Sequence, residues 1–136
     1  MRVVLDNSSL FVEKIMNIVK VYHYPQCSTC KKALTFLNKQ GVKYEAVNIV
    51  EQPPTISELR VMLTNVGDSI QKLYNTSGQL YREMNIKQLL PSLTIDQSLL
   101  LLSQHGKLIK RPFILINGEQ GMVGFDENTI RKLLHQ

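Results

Sequence analysis

Cys27 and Cys30 are the two cysteines of this sequence, separated by Ser28 and Thr29. The attacking species in disulfide or oxyanion chemistry is a thiolate, so what such a pair can do depends on what stabilises a negative sulfur. Ile18-Val19-Lys20-Val21-Tyr22 alternates around β-branched and aromatic residues and reads as a strand, which Pro25 stops. Beyond the pair, Cys30, Ala33, Leu34 and Leu37 recur at helical spacing, and Gly41 stands where a C-terminal cap is expected. Cys27 is therefore expected at a helix N-terminus, where unpaired backbone N–H groups and the helix dipole favour a thiolate. Lys31 and Lys32 add positive charge in the same turn. Cys27 is the expected nucleophile. Cys30 is the expected resolving thiol, near enough to close a disulfide once a mixed intermediate has formed.

Two other uses of the pair compete. The cysteines could be buried and structural, or they could join His23 around zinc. A closed zinc site needs four ligands, however, and His105 and His135 are isolated in sequence. A C-x-x-C between a strand and a helix of a βα unit is the setting in which the motif carries redox chemistry. A lone close pair also suits a reducing compartment, which places the protein in the cytoplasm.

Further along, Arg111 precedes Pro112 and a short apolar run; it is either a solvated residue ahead of a strand or, where the fold brings it beside a thiolate, a contact for an anion. Asn75, Thr76 and Ser77 carry donors suited to a substrate, although Asn75-Thr76-Ser77-Gly78 also has the composition of a plain turn. Tyr22 and Tyr24 read as strand packing residues, and the methionines as core filler.

The elements that must position these groups follow from pattern. Val42 to Ile49 reads as a second strand, and Gln52-Pro53-Pro54 breaks it before the capping box Thr55-Ile56-Ser57-Glu58. Leu59, Met62, Leu63 and Val66 form the stripe of the helix that follows, and Gly67 closes it. From Asp68 to Gly106 the pattern is helical, interrupted at Asn75 to Gly78 and at Pro91-Ser92, with a second capping box at Thr94 to Gln97. Leu99 to Leu102 reads as one buried helix face. Phe113 to Ile116 is a short buried strand, and Asn117-Gly118 a two-residue hairpin turn toward Met122-Val123, so these strands are expected to pair antiparallel. Asp126 caps a last helix with Ile130, Leu133 and Leu134 on its apolar stripe. The fold class is α/β.

At 136 residues with 43% apolar, the chain suits one domain with one ordinary core. Residues 16–136 read as that domain and residues 1–15 as a loosely attached extension, which is a poor secretory signal. No apolar run reaches membrane-spanning length. The net charge of +5 is scattered, with only Lys31-Lys32, Lys110-Arg111 and Arg131-Lys132 adjacent, so no direct nucleic-acid contact is expected. The protein is read as a monomer.

Several spaced motifs, in order, resemble the arsenate reductase (ArsC)/Spx/MgsR family, a branch of the thioredoxin-like fold. Tyr22-His23-Tyr24-Pro25-Gln26-Cys27-Ser28-Thr29-Cys30-Lys31-Lys32-Ala33 is similar to its active-site loop, and Glu51-Gln52-Pro53-Pro54 to the segment after its second strand. Leu73 to Gly78 with Tyr81-Arg82-Glu83 resembles its helical insert, and Arg111-Pro112 before Phe113-Ile114-Leu115 its Arg-Pro-apolar motif. The resemblance implies a mixed four-stranded sheet with flanking helices and an inserted helical segment between strands two and three. It also implies a cis Arg111-Pro112 bond bordering the active cysteine, which an X–Pro bond tolerates.

For function, the resemblance implies a thiol-disulfide redox protein with no bound cofactor and with glutathione, glutaredoxin or thioredoxin as electron donor. Its arsenate-reducing members hold the oxyanion with three arginines, of which only Arg111 is matched. Asn75 stands where the second would fall and Gly124 near the third, and Arg to Asn is not conservative for bidentate anion binding. Cys30 and Val123-Gly124-Phe125 instead resemble the Spx branch, which implies a redox-sensing regulator that binds the carboxy-terminal domain of the α-subunit of RNA polymerase.

Overall fold

A computed structural model describes residues 17–135 of the chain. The expected extension at residues 1–15 lies outside them. Strand β1, Val19–His23, leads into helix α1, Ser28–Lys39, then strand β2, Glu45–Asn48, and helix α2, Ile56–Asn65. The insert follows: a 3-10 turn at Ile70–Leu73, the short helices α3, Gln79–Glu83, and α4, Ile86–Leu89, and a longer α5, Ile95–Gln104. A 3-10 turn at Gly106–Leu108 precedes β3, Phe113–Ile116, β4, Gln120–Val123, and α6, Glu127–Leu134.

The sheet order is β2-β1-β3-β4, with β2 parallel to β1 and the other two pairings antiparallel. It is the mixed four-stranded sheet with flanking helices that the motifs imply. The period-two alternation of the strands divides their side chains between two cores. Val19, Val21, Ile114 and Ile116 point to the face covered by α1 and α6, among Ala33, Leu37 and Ile130. Tyr22, Phe113 and Leu115 point to the opposite face, where Leu59 and Met62 of α2 and Leu99 and Leu102 of α5 cover them. Both central strands are thus buried on both sides, as their near-continuous apolar sequences require.

Local sequence explains most boundaries. Thr55 and Glu58 form a reciprocal capping box, as do Thr94 and Gln97, and Asp126 accepts the Thr129 N–H to start α6. Gly41 and Gly67 have φ of 69° and 70°, the left-handed conformation that ends α1 and α2.

Three expectations change. The second strand is confined to Glu45–Asn48, the stretch in register with Lys20–His23 of β1, and the Ile49 N–H closes the ladder on the His23 carbonyl at 2.9 Å. In the hairpin, Asn117 and Gly118 take the turn with φ of 56° and 68°, but Ile116 pairs with Gln120 and leaves Glu119 as an extra residue. The turn therefore carries a bulge. In the leucine run Leu99 and Leu102 are buried while Leu100 is 47% exposed, since a four-residue run circles the helix instead of lining one face.

Candidate functional site

Tyr24, Pro25, Gln26 and Cys27 turn the chain from β1 into α1, with the Cys27 N–H donating to the Tyr24 carbonyl at 2.9 Å. Pro25 suits the second position of such a turn, where its fixed φ is already correct and no N–H is needed. Cys27 is the N-cap of α1, and its Sγ accepts the Cys30 N–H at 3.3 Å. The sulfur thereby takes the place usually held by a Ser, Thr or Asp oxygen. No acidic residue stands in that first turn.

The two thiols, both unpaired, differ sharply in surroundings. Cys27 is half-buried, whereas Cys30 is 1% exposed. Burial pushes the Cys30 thiol up to about 12, and the neighbouring Cys27 sulfur adds to the effect. The Arg111 charge pulls the other way and does not offset it. Cys30 thus keeps its proton until something removes it.

The opposite wall is made by residues far apart in sequence. Tyr74 and Ile109 form an isolated antiparallel bridge, in which the Asn75 N–H donates to Leu108 at 2.7 Å and the Lys110 N–H to Leu73 at 2.8 Å. The Tyr74 hydroxyl is held by Ser98 of α5 at 2.5 Å. Glycine at 106 is required here, since a Cβ would meet the Ile49 backbone carbonyl. The bridge delivers Asn75, Thr76, Ser77, Lys110 and Arg111 to a cleft of about 430 Å³ shared with Gln26, Cys27, Ser28 and Thr29. The Arg111 guanidinium lies 4.9 Å from the centroid of the Tyr24 ring and donates to the Lys107 carbonyl at 3.3 Å. The Arg111-Pro112 bond is cis, and Pro112 is buried, its carbonyl accepting the Gly124 N–H at 2.8 Å. A second cleft of about 310 Å³ lies across Asn75 and Arg111.

Of the sequence candidates, Cys27, Asn75, Thr76, Ser77 and Arg111 line one cleft. Cys30 is buried and Pro112 is not among the lining residues. Thr76 and Ser77 are exposed, and Asn75 is half-buried with its amide packed against Gly78. Lys110 lines the cleft without having been singled out by the sequence pattern, although its place beside Arg111 in a dibasic pair is visible there. Tyr24, expected as strand packing, lies past the strand and supports Arg111 as well as packing on the core. Among the described residues no group of His, Cys, Asp or Glu could hold a metal ion, and no helix is long and apolar enough to cross a membrane.

The cleft can present a sulfur, two cations and hydroxyl and amide donors to an anionic or sulfur-bearing substrate. Comparison with known proteins fits that chemistry. The ArsC family model matches residues 22–133. The uncharacterized protein YusI of Bacillus subtilis is 42% identical over 82% of this chain and 93% of its own. An arsenate reductase of Neisseria meningitidis is 31% identical over 74% of this chain and 86% of its own. Global transcriptional regulator Spx 2 of Oceanobacillus iheyensis is 32% identical over 79% of this chain and 78% of its own. The crystal structure of a putative ArsC family related protein from Bacteroides fragilis superimposes with a TM-score of 0.78 at 35% identity, covering 85% of this chain and 96% of that one. With the fold, the thiol loop and the matched span in agreement, the chain belongs to the ArsC family.

Proposed function

We propose that this protein is a thiol-disulfide oxidoreductase in which Cys27 attacks, Cys30 resolves and Arg111 steadies the anionic intermediate. The observation that carries this reading is the division between the two sulfurs: one half-open to a basic cleft at a helix N-cap, the other buried and protonated beside it. Cys27 bonds to one sulfur of a substrate disulfide while the substrate S–S bond breaks, and the first leaving sulfur departs as a thiolate with the electron pair. Cys30 then gives up its proton and attacks the Cys27 sulfur, closing Cys27–Cys30 and releasing the second substrate thiol. Two electrons have passed to the substrate. A thiol reductant of the glutathione, glutaredoxin or thioredoxin class returns them. Asn75, Thr76 and Ser77 supply donors at the cleft rim, and Pro112 fixes the backbone that carries Arg111.

Mass spectrometry after incubation with glutathione disulfide tests the assignment. The unmodified sequence should accumulate an internal Cys27–Cys30 disulfide, and Cys30→Ser should hold glutathione on Cys27. Glutathione on Cys30 of the unmodified sequence, or none on Cys27 of Cys30→Ser, overturns the roles.

A second reading is favoured by the paired cysteines together with the similarity to the Spx regulators. In it the same disulfide is a switch, and the oxidised protein binds the carboxy-terminal domain of the α-subunit of RNA polymerase. Co-purification with that domain in the oxidised form alone, without thiol turnover, would select it over catalysis.

A further inference from the structure

We propose that the face of α1 beyond the thiol pair is a docking groove for an acidic, apolar-bearing polypeptide segment, so that the redox client of Cys27 is a protein. The inference rests on the oxidoreductase reading and names its substrate class. A groove of about 390 Å³ runs between α1 and the start of α6. Phe36 and Phe125 form its floor, their ring centroids 5.7 Å apart, and Lys31, Lys32 and Lys39 form its rim. The carboxylate that also lines it, Glu127, is engaged by Arg131 at 2.9 Å. Among the described residues none of the three lysines pairs with a carboxylate. Lysines on a helix face are ordinarily just solvated. Here they surround an aromatic floor, and that combination fits an acidic chain carrying an apolar side chain.

Continuity with the thiol identifies the occupant further. Cys27, Lys31, Thr35 and Lys39 recur every fourth residue, so each is the neighbour of the next along a ridge that winds slowly round α1. α1 is 12 residues long, so Lys39 lies about 18 Å from Cys27 along the axis. That distance is spanned by about five or six residues of extended peptide. A small thiol at Cys27 meets only Lys31 and Lys32 at the near end of the groove, whereas a protein segment flanking a reactive cysteine can run on to Lys39. Nucleic acid fits less well, because the three lysines stand on one 12-residue helix and a carboxylate, Glu127, shares the groove.

The reaction itself is a disulfide exchange. Cys27 bonds to the client cysteine as the bond from that cysteine to its partner sulfur breaks; the partner leaves as a thiolate, and the Cys27 proton passes to solvent.

The test uses the full chain and synthetic peptides whose single cysteine is activated as a thionitrobenzoate mixed disulfide. One peptide carries Asp, Glu and Phe within about six residues of the cysteine, one carries Lys in place of the acids, and the glutathione mixed disulfide is the small control. Release of thionitrobenzoate gives the rate. The acidic peptide should react about tenfold faster than the basic one at low salt, and high salt should erase the difference. Lys39→Glu, far from the sulfur and exposed, should abolish most of that preference and leave the glutathione rate unchanged. Phe125→Ser should slow the acidic peptide alone. Equal peptide rates, a preference that survives Lys39→Glu, or competition by duplex DNA as strong as by unactivated acidic peptide each overturn the docking groove. Failure of all three reagents to modify Cys27 overturns the redox reading itself, and the groove with it.

Discussion

The Arg111 guanidinium rests 4.9 Å from the centroid of the Tyr24 ring, joining the segment before β3 to the turn that carries Cys27. A planar guanidinium stacks on an aromatic face in a way an ammonium does not reproduce. Its charge reaches the thiol pair, since it acts on Cys30. Arg111→Lys should therefore keep the charge and lose the placement, slowing disulfide reduction by about three- to tenfold. Tyr24→Leu should cause a smaller loss in the same direction. Stopped-flow rates with glutathione disulfide measure both, and an Arg111→Lys rate equal to the unmodified protein's shows that the stacked placement of the guanidinium does not matter to the reaction.

Selective alkylation follows from the burial of Cys30. With its thiol pushed up to about 12, Cys30 has roughly one part in ten thousand or less ionised near neutrality. Iodoacetamide at pH 7.5 should label Cys27 and leave Cys30 intact in the folded protein, with rates differing at least about a hundredfold. In denaturant the two should react alike. Peptide mapping reads the ratio, and comparable labelling in the folded state contradicts the division of roles.

What the sequence made legible was local. Both capping boxes, Thr55 with Glu58 and Thr94 with Gln97, could be read because cap and partner lie three residues apart. So could Cys27 at the start of α1, since strand, proline turn and helical stripe follow one another directly. The far wall of the cleft was less legible. A single bridge between Tyr74 and Ile109 leaves no periodicity to detect, so nothing local placed Lys110 in the cleft or Tyr24 beneath Arg111. The limits of β2 and the bulge at Glu119 depend on pairing with other strands, which local pattern cannot register.

Away from the cleft, Glu58 ties the sheet to α2 and makes stability depend on pH. Its carboxylate accepts from the Tyr22 hydroxyl at 2.7 Å, the Thr55 N–H at 2.9 Å and Lys20 at 3.1 Å. Burial pushes the Glu58 carboxyl up, but the bonds from Tyr22, Thr55 and Lys20 outweigh it and hold it below the usual range. A group depressed on folding stabilises the protein above its unfolded value of about 4.3, and that contribution is lost as pH falls through the lower folded value. Glu58→Gln should cost about 1 kcal/mol at pH 7 and flatten the acid limb. At the other end, burial first and Glu58 second push Tyr22 up to about 12, so its contribution is present below about pH 10 and fades as pH rises toward 12. Tyr22→Phe should flatten that alkaline limb. Denaturant titrations across pH test both, and an acid limb unchanged in Glu58→Gln would exclude Glu58 as its source.

Asn75 offers a test of why the cleft should handle arsenate poorly. It lines both clefts beside Arg111, so an arginine there would aim a second bidentate donor at the same space. Position 124 cannot be restored in the same way: Gly124 has φ of 76°, and a Cβ would come 3.2 Å from the Lys110 side chain. Asn75→Arg alone should therefore recover part of the anion site, tightening arsenate binding about tenfold over the unmodified protein. Protection of Cys27 from alkylation by added arsenate reads the affinity, with Asn75→Gln as the uncharged control. Equal protection in the arginine variant and the control would show that the identity of residue 75 does not limit anion binding, and that the scarcity of arginines is not what separates this cleft from an arsenate site.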